Sequence, residues 1–276
     1  MSEPTFQSPP GLVVITTHGI IQAPTAQCVW EMRSVSERQG VTNVRYQMIP
    51  GSLVDKARND ACRAMLGSDA QWVLFIDGDM TFGPDALIRT LQTAYGTHPW
   101  ADVVGGYCNR RGDIAIPTID TGTGTWESHF PGEGVVEVMR TGGAFLLVKR
   151  HVCERMPQPW FATRVPMRPI DAIAEFDNFA RIKFDGTNPL RVTPEWAVLE
   201  EISRTEGSSD PQGWVPAEVG EDSGFCDRVK AHGMRIVVNT DIVTGHLHQD
   251  VIDWKRHKKA MDEREREHRA LCGIVA

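Results

Sequence analysis

The 276 residues are 41% hydrophobic and 24% charged, ordinary for a folded chain and enough to bury a core without staples. Lys and Arg total 29 against 36 Asp and Glu, so the net charge of −7 disfavours a generally basic nucleic-acid binder and leaves room for carboxylates gathered around a cation. The six cysteines are widely spaced and contain no Cys-x-x-Cys pair, which argues against a disulfide framework or zinc site and for reduced thiols.

Residues 1–10 read as a polar, Pro-rich disordered lead without the basic and apolar regions of a secretory signal. Apolar runs such as Trp72 to Ile76 are strand-sized, far below the roughly 20 residues of a membrane span. The expected location is cytoplasmic. Gly11 to Ile15 is predicted as a buried strand and 24–39 as a helix opened by Pro24. Val41 to Met48 is a second strand, and 53–67 a second helix with Ser52 as its candidate N-cap. Gln71 to Asp77 is a strongly apolar strand, Pro84 to Tyr95 a helix and Val103 to Tyr107 a strand. Such alternation predicts an α/β fold with a mostly parallel sheet flanked by helices. Beyond it, strands are expected at 113–118, Gly134 to Met139 and Gly143 to Val148, then a short helix from Lys149 to Met156.

The stretch 157–218 carries eight prolines and many aromatics, Trp160, Phe161, Phe176, Phe179, Phe184, Trp196 and Trp214 among them, with little periodicity. A stretch of that kind is usually a functional insertion or lid. Helix Glu221 to His232, strand Met234 to Val238 and a charged C-terminal helix over about 251–271 complete the chain.

The sharpest motif is the apolar strand running into Asp77-Gly78-Asp79. Ligands of parallel α/β sheets bind beyond the C-terminal strand ends. Two carboxylates at alternate positions can share a hard cation, Mn²⁺ or Mg²⁺, and a diphosphate can complete its shell. Simple capping of the next turn is the plain alternative. The same residues, with Thr81, also match the Asp-x-Asp-x-Thr nucleophile motif of haloacid-dehalogenase-like phosphatases, with Asp77 attacking phosphorus, Asp222 and Asp227 as late acids, and Lys149 or Lys183 as the lysine. Against that reading, two βα units precede the motif, which such enzymes carry on their first strand.

Glu221-Asp222 opens a helix, where the helix dipole stabilises carboxylates. Gly245-His246-Leu247-His248 follows the last strand, and either histidine is a candidate third, neutral ligand.

In order, Leu12 to Ile15 with Thr16 and Thr17, Arg58-Asn59 on a helix, Asp77-Gly78-Asp79, Thr141-Gly142-Gly143, Glu221-Asp222 and Gly245-His246 resemble the nucleotide-sugar-dependent glycosyltransferases of the GT-A fold, family-2-like, soluble and of a look also found in bacteriophages. The resemblance implies one GT-A catalytic domain over 11–250, with a nucleotide-binding half at 11–110 and an acceptor-side half at 111–250 that holds the 157–218 insertion. Residues 251–276 form a tail. It implies a metal held by Asp77, Asp79 and His246, and a donor, favoured as a UDP-sugar, held by Thr16, Thr17, Arg58, Asn59, Asp77, Gly142 and Gly143. Asp222, with Glu221 nearby, stands where inverting members keep their general base. Trp160 and Phe161 are candidates to stack on an acceptor, which would be a glycan, a protein, a small molecule or a modified DNA base; packing in a small satellite core is the plain alternative. A nucleotide-sugar binder without turnover is the remaining alternative.

Overall fold

The computed structural model describes residues 8–17, 19–50, 53–110, 116–162, 164–167, 215–218, 220–247 and 251–252, with single positions at 258 and 262. The elements run β1 (Gly11–Thr17), α1 (Ala23–Arg38), β2 (Val44–Pro50), α2 (Val54–Leu66), β3 (Trp72–Asp77), β4 (Met80–Phe82) and α3 (Ala86–Leu91). A π-helical turn, Gln92–Thr97, extends α3. Then come β5 (Val103–Tyr107), β6 (Ile119–Asp120), β7 (Val135–Val138), β8 (Arg140–Thr141), β9 (Phe145–Lys149), α4 (Arg150–Arg155), β10 (Arg164–Met167), β11 (Val215–Glu218), α5 (Glu221–Ala231), β12 (Ile236–Leu247) and β13 (Val251–Ile252).

The chain divides into two compact units, residues 1–161 with 225–276, and residues 162–224. In the smaller unit, β10 and β11 pair antiparallel, Arg164 opposite Glu218 and Met167 opposite Val215.

The larger unit is built on a nine-stranded sheet of order β13-β12-β5-β9-β3-β1-β2, with β4 and β7 added against β12. Strands β2, β1, β3, β5 and β12 share one direction, and β9 runs against them between β3 and β5. This is the mixed, mostly parallel α/β architecture that the sequence implied. Strands β1, β3 and β5 are almost entirely buried, because helices cover both sheet faces and leave no side for polar alternation. Beneath one face, Ala61, Cys62 and Met65 of α2 pack with Val152 of α4 and Phe225 and Val229 of α5. Beneath the other, Met32 of α1 packs with Leu87 and Leu91 of α3.

Helix α2 carries the site residues Arg58 and Asn59 on its buried stripe. Its C-terminal carbonyls are closed by one side chain. Arg150 donates Nη1–H to the carbonyls of Met65, Ser68 and Ala70 at 3.0, 2.9 and 3.1 Å, and Nη2–H to Leu66 at 2.9 Å. A cation at a helix C-terminus also answers the helix dipole.

Strand β12 is far longer than the five residues expected of it. Its register against β5 shifts between Asn239 and Val243, and the remainder pairs with β4 and β13 instead. Gly106 permits the turn, since a Cβ there would lie 3.1 Å from the Ile242 carbonyl and 3.0 Å from the Phe145 ring. Bulges of this kind re-aim side chains beside functional sites. Val251–Ile252, expected to begin a helix, pairs with Leu247 and His246 as β13. The expected N-cap Ser52, residues 113–115 of the 113–118 strand, most of 157–218, the lysine Lys183 and nearly all the rest of the charged tail lie outside the described residues. Among the described residues, no helix is long and apolar enough to cross a membrane.

Candidate functional site

Strand β3 ends at Asp77, at the C-terminal edge of the parallel strands. The Asp77 N–H donates to Ala144 (3.0 Å) and the Gly78 N–H to the Thr16 carbonyl (2.8 Å). At Gly78 a Cβ would lie 3.2–3.3 Å from Thr17 Cβ and the Thr16 and Ile20 carbonyls, so glycine keeps this turn tight. The chain reverses into β4, where Met80 faces His246 and Thr81 faces Gly245. The Leu247 N–H donates to the Asp79 carbonyl at 2.7 Å. Main-chain bonds therefore lock the acidic turn and the histidine strand in one frame.

One ligand atom each from Asp77, Asp79 and His246 lies within 4.8 Å of the others. His246 is buried, and its Nδ1–H donates to the Asn109 carbonyl at 2.7 Å. That bond fixes the tautomer and leaves Nε2 with its lone pair. Two carboxylates and a neutral imidazole fit a hard or borderline divalent cation.

The other expected donor residues surround this triad with definite partners. The Thr16 hydroxyl donates to Asp77 Oδ1 at 2.7 Å, and Arg58 Nη2 reaches the same oxygen at 3.0 Å. Arg58 is 1% exposed and lies over the Phe161 ring, 5.7 Å from its centroid. A Cβ on Gly143 would meet Arg58 Nη1 at 2.3 Å, and one on Gly142 would meet Thr118 Oγ1 at 2.9 Å. The Thr17 hydroxyl donates to the Ile20 carbonyl.

The Asn59 amide is spent on the main chain. Its Oδ1 accepts from Trp160 and Phe161 N–H at 2.9 and 3.1 Å, and its Nδ2–H donates to the Phe161 and Asp55 carbonyls at 2.7 and 2.8 Å. Arg228 holds the same segment through the carbonyls of Pro157, Pro159 and Trp160.

Trp160 and Phe161, expected to stack on an acceptor, are instead core residues, each 1% exposed. Phe161 stacks on Phe225 with centroids 4.2 Å apart, and the Trp160 indole N–H donates to the Cys153 and Met156 carbonyls. Burial beneath the sheet, with the indole N–H satisfied internally, leaves neither ring a face for a sugar.

Glu221 and Asp222 stand in the first turn of α5, half-buried, and belong to the smaller unit. There the Ser223 N–H donates to Asp222 Oδ1 at 2.7 Å. His248 lies outside the described residues.

Two of the residues that a phosphatase would need have other partners. Lys149 pairs with Trp72 at the opposite end of β3 from Asp77, roughly 17 Å away at strand rise, and its Nζ donates to the Pro99 carbonyl at 2.8 Å. Asp227 is held by both arms of Arg140, at 2.7 and 2.8 Å.

Cys108 adjoins the triad, but burial pushes its thiol up to about 12. It is a neutral packing group, accepting the Thr244 hydroxyl at 2.9 Å. Sequence reading missed the Asn109 carbonyl and Thr118. A carbonyl carries no residue signature, and Thr118 matters only because Gly142 sits on it.

No protein-family model and no curated protein sequence matches the chain. Among solved structures it is similar to A197 from STIV, at TM-score 0.54 and 16% identity, over 90% of this chain and 91% of that one. It also matches S. aureus TarS 1–349, at TM-score 0.32 and 12% identity over 52% of this chain and 48% of that one. The same protein in complex with UDP-GlcNAc matches at 0.32 and 15%, over 52% and 46%. This chain thus spans about half of the TarS structures, whereas the likeness to A197 runs nearly end to end and is one of fold.

Proposed function

We propose that the chain is a metal-dependent glycosyltransferase that moves a sugar from a nucleotide-diphosphate sugar, a UDP-sugar by preference, to an acceptor hydroxyl. The observation that carries the reading is the convergence of Asp77, Asp79 and His246 within 4.8 Å at the C-terminal end of β3. Ligands of open α/β sheets gather at such strand ends, and glycosyl transfer needs its diphosphate leaving group neutralised there.

Asp79 and His246 would hold Mn²⁺ or Mg²⁺ directly, with Asp77 completing the set. When bound, the cation supplies Lewis-acid stabilisation of the departing diphosphate. Thr16 and Thr17 at the end of β1, and Gly142 before β9, border the same strand ends and would frame the donor. Asp222 is the proposed base, taking the proton from the acceptor hydroxyl oxygen, with Glu221 beside it. A glycan, a protein, a small molecule and a modified DNA base are the acceptor classes to test.

The test is a thermal-shift panel of UDP, GDP, CDP, dTDP and their sugars, each with Mn²⁺ and with chelator. Ligand binding to the native state raises its melting temperature. A Mn²⁺-dependent shift with one base is expected and names the donor. No shift with any of them, alongside hydrolysis of a generic phosphomonoester, would reverse the assignment and make Asp77 a nucleophile.

A further inference from the structure

A buried cation stands against one of the two carboxylates that would bind a metal. Arg58 is 1% exposed, and its Nη2 lies 3.0 Å from Asp77 Oδ1. Its charge is permanent, because a guanidinium keeps its proton even when buried. The position is fixed from several sides. Phe161 lies under the guanidinium, Thr16 binds the same carboxylate oxygen at 2.7 Å, and only a glycine at 143 leaves room, since a Cβ would come within 2.3 Å of Nη1.

The guanidinium is buried and Asp77 only partly exposed, so the pair is screened less than one on the surface. The Asp77 charge is thus largely answered before any cation arrives. Of the two carboxylates that would draw a dication, one already stands against a fixed positive charge. That is a poor trap for a dication. A nucleoside diphosphate brings the missing negative charge with it.

We infer that Arg58 is a built-in counter-charge that makes cation binding at Asp77, Asp79 and His246 conditional on the donor's diphosphate. It is a positioning residue that acts through Asp77, rather than a ligand of the nucleotide. Gly143 serves the same device by making space for the guanidinium. The inference rests on the metal-dependent transferase reading above and assigns the order of binding within it: cation and diphosphate enter as a pair.

The test is Mn²⁺ binding read by electron paramagnetic resonance of free Mn²⁺, with and without UDP, or with whichever of GDP, CDP and dTDP stabilises the wild type most. The wild type is expected to bind Mn²⁺ weakly alone and at least about tenfold more tightly with the diphosphate. Arg58→Met and Arg58→Gln should tighten Mn²⁺ binding in the absence of nucleotide by about tenfold or more, and shrink the effect of the diphosphate. Arg58→Lys, which keeps the charge, should behave as the wild type. Loss of structure or packing alone would weaken Mn²⁺ binding, so a gain is the diagnostic sign.

Should the Arg58 variants fail to fold, Gly143→Ala pushes the guanidinium off Asp77 in the native background and should also raise nucleotide-free Mn²⁺ affinity. Folded Arg58 variants with unchanged or weaker Mn²⁺ binding would overturn the counter-charge. So would a loss of UDP binding in chelator, which would make Arg58 a nucleotide ligand. A wild type that binds Mn²⁺ with none of the four diphosphates would instead sink the transferase reading, and the inference with it.

Discussion

The imidazole of His246 donates its Nδ1–H to the main-chain carbonyl of Asn109 across 2.7 Å. This bond ties the end of β12 to the segment after β5 and turns Nε2 into an acceptor beside two carboxylates. His246→Ala should therefore weaken Mn²⁺-dependent nucleotide binding at least about tenfold, while binding in chelator stays unchanged. Isothermal titration with and without Mn²⁺ measures both. Equal losses in the two conditions would place His246 outside the metal set.

Asp222→Asn removes a proton acceptor and keeps the shape. Donor affinity should hold, and transfer should fall by about 10²–10⁴-fold. The Ser223 N–H that Asp222 accepts can still be met by the Asn oxygen, so the helix start survives. Turnover equal to wild type would leave Asp222 as a helix cap.

Asn59 has both ends of its amide on the backbone of Asp55, Trp160 and Phe161. Asn59→Ala orphans two buried N–H groups and a carbonyl, a loss of about 2–4 kcal/mol. At about 2–4 °C per kcal/mol for a chain of this size, the melting temperature should fall by roughly 4 °C or more. Thermal denaturation in chelator without nucleotide reads this directly. No fall would mean that the Trp160–Phe161 segment is secured without the amide.

Native thiol chemistry should be sharply graded. Cys28 is partly exposed, whereas Cys62, Cys108, Cys153 and Cys226 are buried. The Cys62 thiol is raised by burial, and that of Cys108 is pushed up to about 12 for the same reason. A thiol reacts as its thiolate, so near pH 8 these two should resist a disulfide reagent until the protein unfolds. Mass mapping of early adducts should find Cys28 and omit Cys62 and Cys108. Early labelling of Cys108 would show that the strand ends open readily.

The buried strands were legible because a central strand is apolar on both faces. The expected Val103 to Tyr107 is β5 residue for residue, and β3 begins one residue later than expected. Strands β4 and β8, of three and two residues, carry no period of their own, and β4 owes its pairing to β12. The second half of β12 was hidden by Asn239, Thr240, Asp241 and Thr244, polar residues that a bulged strand tolerates.

Within the site, Asp77 and Asp79 stood out at the end of an apolar strand. His246 lies over 160 residues away in sequence, and its place beside them comes from the antiparallel pairing of β12 with β4. Arg58 was legible as a site residue from its motif. That it faces Asp77 depends on Gly143, which no local pattern ties to α2. Trp160 and Phe161, in a Pro-rich stretch, stood as candidates to stack on an acceptor or to pack in a small satellite core. Their packing against Phe75 and Phe225 is a long-range fact that local composition does not carry.

The most direct measurement is release of nucleoside diphosphate from the nucleotide sugar that stabilises the protein, followed with Mn²⁺ and with chelator, for the wild type and Asp79→Ala. The account expects Mn²⁺-dependent release by the wild type and loss of that release in the variant. Tight, Mn²⁺-dependent binding with no release in the presence of glycan, protein, small-molecule and modified-DNA acceptors would contradict it, and would leave a nucleotide-sugar binding protein in its place.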